Sequence, residues 1–412
     1  MIRKAHSAGL LLGALLLHTA AAAAEPSARI AGFGTIGLSC FSRDSADFVN
    51  NEQPYGPGRS RHCDAGIDSA LGLQVDVAMT PTLEFALQAV ADRNADRSIS
   101  PELTVAQLRW QATERLTLRA GRMPSAAFLH AENRAVRYSQ PWLRAPLEVY
   151  GLAPFYSNDG VEAIYQTSLG AWRAEWQGGL STIDFDLPIS NTREMNGVEG
   201  KQAFLALLLH QGNTQFKIGY GYSRLSFRNR ATDTLLGALR TLPGGAGAAL
   251  ADDLAVDDTP AGLFAVGFQR EQEQWLFLSE FGYRRVDGHP RDQYGAHVTL
   301  GRRLGAWFPY ATLARRWTRG PDTDSRAQLY GPAVAIPVDT LLAATRTDSS
   351  RLSLGLSREL HPQAILKLQL DYIRPDRDSF GLYTNHAYAY GDPAYRRPGS
   401  DWLFALSLDF VF

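Results

Sequence analysis

The stretch Trp402-Leu403-Phe404-Ala405-Leu406-Ser407-Leu408-Asp409-Phe410-Val411-Phe412 decides the fold of this 412-residue chain. Large apolar residues take every second position, namely Trp402, Phe404, Leu406, Leu408, Phe410 and Phe412, and they alternate with Ala405, Ser407 and Asp409. This period of two predicts a β-strand with one face suited to hydrocarbon and one suited to water. The stretch is about as long as a tilted strand that crosses a bilayer. A soluble β-sandwich could end on such a strand, but this strict register favours the closing strand of an outer-membrane β-barrel.

The amino-terminal residues predict export. Arg3 and Lys4 form a short basic region, residues 10–17 are apolar, and small residues run up to Ala24. This order is typical of a secretory signal peptide, and we expect cleavage after Ala24. An uncleaved anchor helix is the alternative, but the apolar stretch is short for a membrane span. The sequence therefore predicts a signal peptide at 1–24 and a single barrel domain at 25–412.

The composition favours one large barrel over two or three soluble domains. The chain contains 37 glycines, and 10% of its residues are aromatic. After the amino terminus, no segment approaches the roughly 18 consecutive apolar residues of a membrane helix. These features suit a barrel whose lipid-facing residues alternate with residues of a wet lumen. The formal net charge of −1 gives no reason to expect a nucleic-acid partner.

The two cysteines, Cys40 and Cys63, lie near the amino terminus. In an exported protein, two thiols that flank one loop are typical of a disulfide. In the chain-entropy model, a loop of this size gains about 3 kcal/mol from such a bond. A metal site formed by Cys40, His62 and Cys63 is the alternative, but the spacing matches no zinc pattern. We therefore predict a disulfide, and neither a metal nor a cofactor.

Short turns and longer loops separate the alternating segments in regular succession. The turns are predicted at residues 80–82, 113–114, 168–170, 211–213, 271–274, 304–305 and 361–363. The longer segments are 42–65, 92–102, 123–158, 182–200, 225–260, 287–292, 319–350 and 375–401. Their alternation predicts about sixteen antiparallel strands, with both chain ends on the side of the turns. A barrel of that size leaves an aqueous channel.

No motif in the sequence indicates an enzyme. Residues 32–37 match the dinucleotide pattern G-x-G-x-x-G, but no strand precedes them and no helix opens at them. We interpret these glycines as small residues of the first barrel strand. His297 lies on the polar parity of its strand, and we interpret it as a wet side chain of the lumen.

The segment 123–158 combines aromatic and charged residues and follows the fifth predicted strand. Its members include Arg134, Arg137, Tyr138, Trp142, Arg144, Glu148 and Tyr150. A loop of this length either projects into solvent or folds inward. An inward loop would narrow the lumen and set its size and charge selectivity.

Several stretches resemble porin-like outer-membrane proteins of Gram-negative bacteria. They are residues 32–38 (Gly-Phe-Gly-Thr-Ile-Gly-Leu), 71–76 (Leu-Gly-Leu-Gln-Val-Asp), 118–123 (Leu-Arg-Ala-Gly-Arg-Met), 141–151 (Pro-Trp-Leu-Arg-Ala-Pro-Leu-Glu-Val-Tyr-Gly) and 159–161 (Asp-Gly-Val). The resemblance covers the first half of the chain and the carboxyl-terminal strand. It implies a sixteen-stranded, trimeric channel in the outer membrane, whose third outer loop folds into the pore.

The resemblance also implies which residues form a constriction. In general porins the inward loop offers carboxylates opposite basic residues of the wall. The corresponding loop acids here are Glu132, Glu148 and Asp159, and parity makes Arg109, Arg119, Lys217, Arg351 and Lys367 the candidate lumen bases. This loop departs from the pattern because it also contains Arg134, Arg137 and Arg144, so the sign of its ion selectivity stays open.

We therefore predict passive diffusion of ions and small hydrophilic solutes through a homotrimer in outer-membrane lipid, without covalent chemistry. A channel specific for a sugar or an organic acid is the alternative. Four tyrosines before the last strand could stack on such a ligand, namely Tyr383, Tyr388, Tyr390 and Tyr395. A barrel enzyme is the third possibility.

Overall fold

The computed structural model describes residues 27–50, 53–188, 195–288, 291–376, 379–387 and 399–412. Within these ranges, sixteen antiparallel strands follow one another around a closed barrel. They are β1 Ser27–Phe41, β2 Ala70–Thr80, β3 Leu83–Ala91, β4 Pro101–Gln111, β5 Leu116–Pro124, β6 Ser157–Leu169, β7 Trp172–Pro188, β8 Met195–Gln211, β9 Thr214–Arg228, β10 Thr259–Gln272, β11 Trp275–Val286, β12 Asp292–Arg302, β13 Trp307–Arg319, β14 Ser349–His361, β15 Ala364–Pro375 and β16 Asp401–Val411. Pairing of β16 with β1 closes the barrel, which confirms the predicted fold. The predicted signal peptide, Tyr388, Tyr390 and Tyr395 lie outside the described residues.

The last strand has the two faces that its sequence predicts. Trp402 and Phe404 are 50% and 45% exposed on the outer face of the barrel. Ser407 and Asp409 point inward and are buried. Because the carboxylate of Asp409 points inward and is fully buried, another part of the chain must fill the lumen beside β16.

The glycines of the apparent dinucleotide motif serve the seam of the barrel. The ideal Cβ of an alanine at Gly34 would lie 2.5 Å from the Cζ atom of Phe410. At Gly32 the same Cβ would lie 2.2 Å from the Cζ atom of Phe412. Both glycines therefore make room for the rings of Phe410 on β16 and of Phe412, which follows that strand, where the chain end meets β1.

The first outer loop, residues 42–69, is fastened to the barrel by a disulfide. Cys63 belongs to the two-residue strand Cys63–Asp64, which pairs with β1 so that Cys63 lies opposite Cys40. A bond joins the two sulfur atoms, and the Cα atoms are 4.0 Å apart. Both thiols are used in this bond, so the alternative metal site with His62 has no thiolate ligand.

The predicted outer loop at residues 182–200 is wrong in extent. β7 continues to Pro188 and β8 begins at Met195, so a hairpin takes up most of this segment. Buried Ile183 and Val198 alternate there with the polar residues Asp184 and Glu199. Strands that rise beyond the hydrocarbon layer need no continuous apolar face, so the sequence pattern of a membrane strand is lost in them.

Helices occur in outer loops for which the sequence suggested no regular structure. They are α1 Leu147–Tyr150 in the third loop, α2 Arg230–Arg240 and α3 Ala246–Leu254 in the fifth, and α4 Ser325–Gln328 and α5 Pro332–Ala344 in the seventh. The fifth and seventh loops pack together through the buried side chains Leu236, Leu239, Leu250, Ala251, Ala327, Val338 and Leu342. Within the described ranges, no helix is both long and apolar enough to cross a bilayer.

Candidate pore and its inward loop

The third outer loop, residues 125–156, passes through the lumen to the opposite rim. It leaves β5 after Pro124 and returns to β6 at Ser157. At its far point, the hydroxyl of Tyr138 donates a 2.6 Å hydrogen bond to the carbonyl oxygen of Pro362. Pro362 lies in the short turn between β14 and β15, on the side opposite the long loops. The loop therefore spans the barrel instead of projecting into solvent.

Apolar packing holds this loop against one side of the barrel. Phe128, Trp142, Tyr150 and Leu152 are buried in one cluster with inward residues of β10, β11 and β13. The indole Nε1 of Trp142 also donates a 2.8 Å hydrogen bond to Oγ1 of Thr299 on β12. Aromatic side chains bury large areas, so this contact is a main source of the loop's stability.

Glu280 on β11 has three polar partners at the centre of that contact. Its carboxylate accepts from the backbone N–H of Leu129 at 2.7 Å and from the hydroxyl of Tyr150 at 2.7 Å. Nε2 of His297 lies 3.1 Å from the same carboxylate. His297 is also buried, with its ring 5.4 Å from that of Trp142, so it differs from the wet side chain that parity suggested. The loop covers it.

Two buried lysines of the wall bind backbone carbonyls of the loop. Nζ of Lys367 donates to the carbonyl oxygens of Arg137 at 2.7 Å, Gln140 at 2.9 Å and Trp142 at 3.1 Å. The same ammonium lies 3.0 Å from Oδ2 of Asp409.

The second of these lysines, Lys217, lies on β9. Its Nζ donates to the carbonyl oxygen of Phe128 at 3.1 Å. Packing excludes water from these loop carbonyls, and the two ammonium groups serve as their hydrogen-bond donors instead.

Ion pairs join the loop to the first outer loop and to β14. The guanidinium of Arg144 pairs with Asp68, with Nε 3.1 Å from Oδ1. Nε of Arg351 donates to Oε1 of Glu148 at 3.0 Å. Burial opposes ionisation of Asp68, but Arg144 and Arg137 outweigh it and hold the pKa of this carboxyl below its ordinary value. Buried charges persist only when they are paired in this way.

Six of the eleven residues expected at the constriction therefore do not border open water. They are Arg119, Arg144, Glu148, Lys217, Arg351 and Lys367, and each is buried. The physical reason is that the loop packs directly on the wall. Arg119, for example, lies 3.3 Å from the carboxylate of Glu132 in the loop and donates from Nε to Oε1 of Glu162 on β6 at 2.9 Å.

The other five expected residues are at least partly exposed. They are Arg109, Glu132, Arg134, Arg137 and Asp159. Glu132 reaches back to the wall, where Nε2 of Gln177 donates to its carboxylate at 2.7 Å. Asp159 is not a loop acid, because it lies on β6 and accepts from Nε of Arg122 on β5 at 2.8 Å.

A cavity of about 1030 Å³ lies at the outer end of the barrel, and we call it the vestibule. Its basic lining residues are Arg93, Arg122, Arg134, Arg137 and Arg228, and its acidic ones are Asp92, Asp96, Glu102, Asp159, Asp184, Asp186 and Glu199. Burial raises the pKa of Asp92 to about 6, Arg137 lowers it and Glu102 adds to the rise. The lining therefore carries charges of both signs, although Asp184, Asp186 and Glu199 lie on the same face of β7 and β8 as the outward residues Leu180 and Leu205.

A scan against models of known protein families found no match for this sequence, and a search of the curated proteins found none. Among solved structures, the chain is similar to an anion-selective porin from Comamonas acidovorans, with a TM-score of 0.53 and 10% identity over 94% of this chain and 100% of that one. It is similar to OmpF of Salmonella typhi in complex with daunomycin, with a TM-score of 0.51 and 12% identity over 93% and 97%. The outer-membrane channel DcaP of Acinetobacter baumannii gives 0.51 and 11% over 94% and 97%. The chain has the porin fold.

At these low identities the likeness carries the fold alone. The charges that decide selectivity must be taken from this chain.

Most acidic residues that border this cavity were not predicted from the sequence. Asp92, Glu102, Asp184, Asp186 and Glu199 all fell in segments that were predicted as loops. Their carboxylates recur on neighbouring strands, which was the available signal. The tyrosines considered for ligand stacking give no such site in the described part of the chain, since Tyr383 packs on Phe41 at 5.4 Å and donates to Asp401 at 3.0 Å.

Proposed function

We propose that this protein is a water-filled channel for passive diffusion of ions and small hydrophilic solutes across the outer membrane. The observation that carries the proposal is the uneven packing of the third loop, which covers β11 to β16 and touches β5 and β7 through Glu132. Inward residues of β11 to β16, such as Thr299, Gln369 and Asp409, are buried under the loop. Inward residues of β4 to β7 nearer the turns, namely Arg109, Gln166 and Arg173, are exposed.

The proposed water path runs between the loop and the wall formed by β3 to β7. On the loop side, Glu132, Asn133 and Ser139 are exposed. On the wall side it passes Arg109, and at its outer end it opens into the vestibule, where Arg134 and Arg137 meet it. The six buried residues named above have a different role, because they fix the loop that sets the bore.

We further infer a homotrimer that uses the outer face of β1 to β4. On β11 to β16 the outer rim carries an aromatic belt, in which Tyr294 stacks between Tyr283 at 4.8 Å and Trp317 at 5.4 Å. The corresponding end of β1 to β4 presents the exposed aliphatic residues Leu38, Leu71 and Leu103. Aromatic belts mark contact with lipid headgroups, so the aliphatic face suits contact with another protomer. Export by a cleaved signal peptide belongs to this proposal.

Single-channel recording of the refolded protein in a planar bilayer tests the proposal. We expect stepwise openings in KCl, and a lower conductance for Asn133→Trp, which adds an indole where the loop borders the path. The matched control is Arg240→Trp on the exposed side of α2, and its conductance should equal that of the wild type. A protein that inserts into bilayers but passes no current would overturn the proposal.

A further inference from the structure

Arginines alternate with tryptophans on the outer surface of the barrel at the end where the short turns lie, which we call the turn end. They occupy five successive strands, as Arg270 on β10, Trp275 on β11, Arg302 on β12, Trp307 on β13 and Arg358 on β14. All five side chains are exposed. We call this row the basic belt.

The pairing of the strands shows that the members of the basic belt share the outward face. Trp275 alternates with the buried, inward residues Leu276 and Leu278, so it points away from the lumen. Arg302 is its partner on β12, and Arg358 is the partner of Trp307 in the pairing of β13 with β14. Residues that lie opposite each other in an antiparallel pair point to the same side of the sheet.

Two arginines of the belt stack on its two indole rings. The guanidinium carbon of Arg302 is 5.1 Å from the ring centre of Trp275, and that of Arg358 is 4.8 Å from the ring centre of Trp307. Stacking on an aromatic face fixes the plane of a guanidinium without cancelling its charge. The planar fork of N–H donors is therefore held ready for an oxyanion such as a phosphate group.

The arginines of the belt have no carboxylate partner. Over the ranges that the structure describes, no carboxylate lies within ion-pair distance of Arg270, Arg302 or Arg358. The carboxylates next to them in sequence take the opposite parity, since Glu271 is paired with the inward residue Leu276 and Glu359 follows Arg358 directly. At the turn end the outer surface is therefore positive, and the carboxylates belong to the lumen side.

The opposite end of the barrel, where the long loops lie, shows that this lack of partners is specific to the turn end. Outward arginines at the loop end pair with carboxylates, as in Arg122–Asp159, Arg224–Asp258, Arg228–Asp257, Arg285–Asp287 and Arg315–Asp376. Within a single chain, similar positions on the same outer surface thus have internal counter-ions at one end and need external ones at the other.

The basic belt lies where the apolar surface of the barrel ends. Trp275 and Trp307 are the first residues of their strands. Toward the middle of the barrel, the outward residues are apolar, and they include the exposed side chains Phe277, Leu300 and Leu354. Tryptophan is enriched at the level of lipid headgroups, and an arginine at that level meets their phosphates.

We propose that the basic belt is a binding site for anionic phospholipids in the leaflet on the side of the short turns. Arg302 and Arg358 bind the phosphate groups, the indoles lie against the region between headgroup and chains, and Arg270 adds to the positive potential. The occupant is a lipid because the belt borders the hydrocarbon-facing surface. A second copy of the chain is assigned to the aliphatic face of β1 to β4, on other strands. Lipid binding at the belt does not depend on conduction through the lumen.

The test compares two lipids that have the same chains and different headgroups. Dioleoyl phosphatidylglycerol, which is anionic, and dioleoyl phosphatidylcholine, which is neutral overall, are titrated separately against the full chain in detergent. Native mass spectrometry gives the dissociation constant of the first bound lipid, and the readout is the constant for phosphatidylcholine divided by that for phosphatidylglycerol. We expect a wild-type ratio of about five or more, since one arginine near an anionic headgroup contributes about 1 kcal/mol.

Two variants probe the arginines of the belt. In the triple variant Arg270→Gln, Arg302→Gln, Arg358→Gln the ratio should fall to about one, because the charges that attract the anionic headgroup are gone. The double variant Arg302→Lys, Arg358→Lys keeps the charges and loses the planar forks, and its ratio should be intermediate.

The matched control removes three exposed arginines far from the turn end, as Arg228→Gln, Arg240→Gln, Arg285→Gln. Its net charge equals that of the triple variant of the belt, and its ratio should equal the wild-type ratio. Circular dichroism of each variant shows that the barrel has folded.

Equal dissociation constants of the wild type for the two lipids would overturn the proposal, and so would a wild-type ratio in the triple variant of the belt. An equal fall of the ratio in that variant and in the control would assign the preference to net charge, which also overturns it. Absence of KCl current together with the expected lipid preference would overturn the channel function and leave the lipid site standing.

Discussion

The carboxylate of Glu280 accepts a 2.7 Å hydrogen bond from the hydroxyl of Tyr150, and this bond joins the barrel wall to the inward loop. Glu280 is buried and also accepts from Leu129 and lies beside His297. These three groups surround a carboxylate that is cut off from water. The relationship therefore makes Glu280 a fixed anchor for the loop that defines the bore.

Replacing Glu280 should loosen the loop. Glu280→Gln keeps one acceptor but turns an amide N–H₂ toward groups that donate, so buried donors lose their partner. We expect a loss of about 1–3 kcal/mol in stability. Because the anchor sits between loop and wall, we also expect a larger and noisier single-channel current. Unfolding in urea and bilayer recording measure the two effects.

The control for this variant is Glu359→Gln, an exposed carboxylate near the turn after β14. It removes one charge without touching the loop, and neither stability nor current should change. Equal behaviour of the two variants would show that the loop does not depend on Glu280.

The barrel could be predicted from the sequence because its strands alternate strictly. Residues 402–412 carry this pattern, and the same parity predicts Lys367 and Arg351 on the inner face. Parity alone could not reveal that both side chains are buried, since burial depends on where the third loop packs. That packing joins residues more than 200 positions apart, such as Lys367 and Arg137.

The helices were missed for a different physical reason. α2 and α3 are short, and their apolar residues pack against each other and against the helices of the seventh outer loop instead of a central core. In α2, the buried residues of the described chain are Leu236 and Leu239, which are three positions apart as on one face of a helix. Such a signal is easily lost among loop residues.

Loss of the Cys40–Cys63 bond should destabilise the outer end of the barrel. The bond closes a loop with a sequence separation of 23, and its removal should cost about 3 kcal/mol. The double variant Cys40→Ala, Cys63→Ala isolates this effect without leaving a free thiol. We expect the variant to have a lower urea midpoint than the wild type. In the presence of a reductant, the midpoint of the wild type should fall to that of the variant. Mapping under non-reducing conditions that found both cysteines free would contradict the assignment.

Asp92 should make the vestibule sensitive to pH. Its pKa is about 6 in the folded protein against an ordinary value of 3.8, mainly because of burial. The folded state thus disfavours the charged form. This destabilising effect is absent below about pH 3.8, grows up to about pH 6 and is complete above it.

The raised pKa of Asp92 leads to two measurements. Asp92→Asn removes the effect, so at neutral pH it should stabilise the protein, by up to about 3 kcal/mol, and near pH 4 it should not. Protonation of Asp92 also removes one negative charge from the vestibule. The reversal potential in a KCl gradient should therefore shift toward less cation preference between pH 7.5 and 5 in the wild type, and less so in Asp92→Asn. Identical shifts of the reversal potential in both proteins would mean that a group other than Asp92 titrates.

The aliphatic outer face of β1 to β4 should respond to charge differently from the lipid-facing side. Leu73 on β2 and Leu313 on β13 are both exposed apolar residues on the outer face of the barrel, 49% and 63% accessible in the single chain. If β1 to β4 meet other protomers, Leu73→Arg places a charge in a protein contact and should release monomers. Leu313→Arg should instead lower stability in lipid, by roughly 2–4 kcal/mol at the midplane, and keep the oligomer intact. Cross-linking and light scattering in detergent distinguish these results, and release of monomers by Leu313→Arg alone would move the interface to the opposite side.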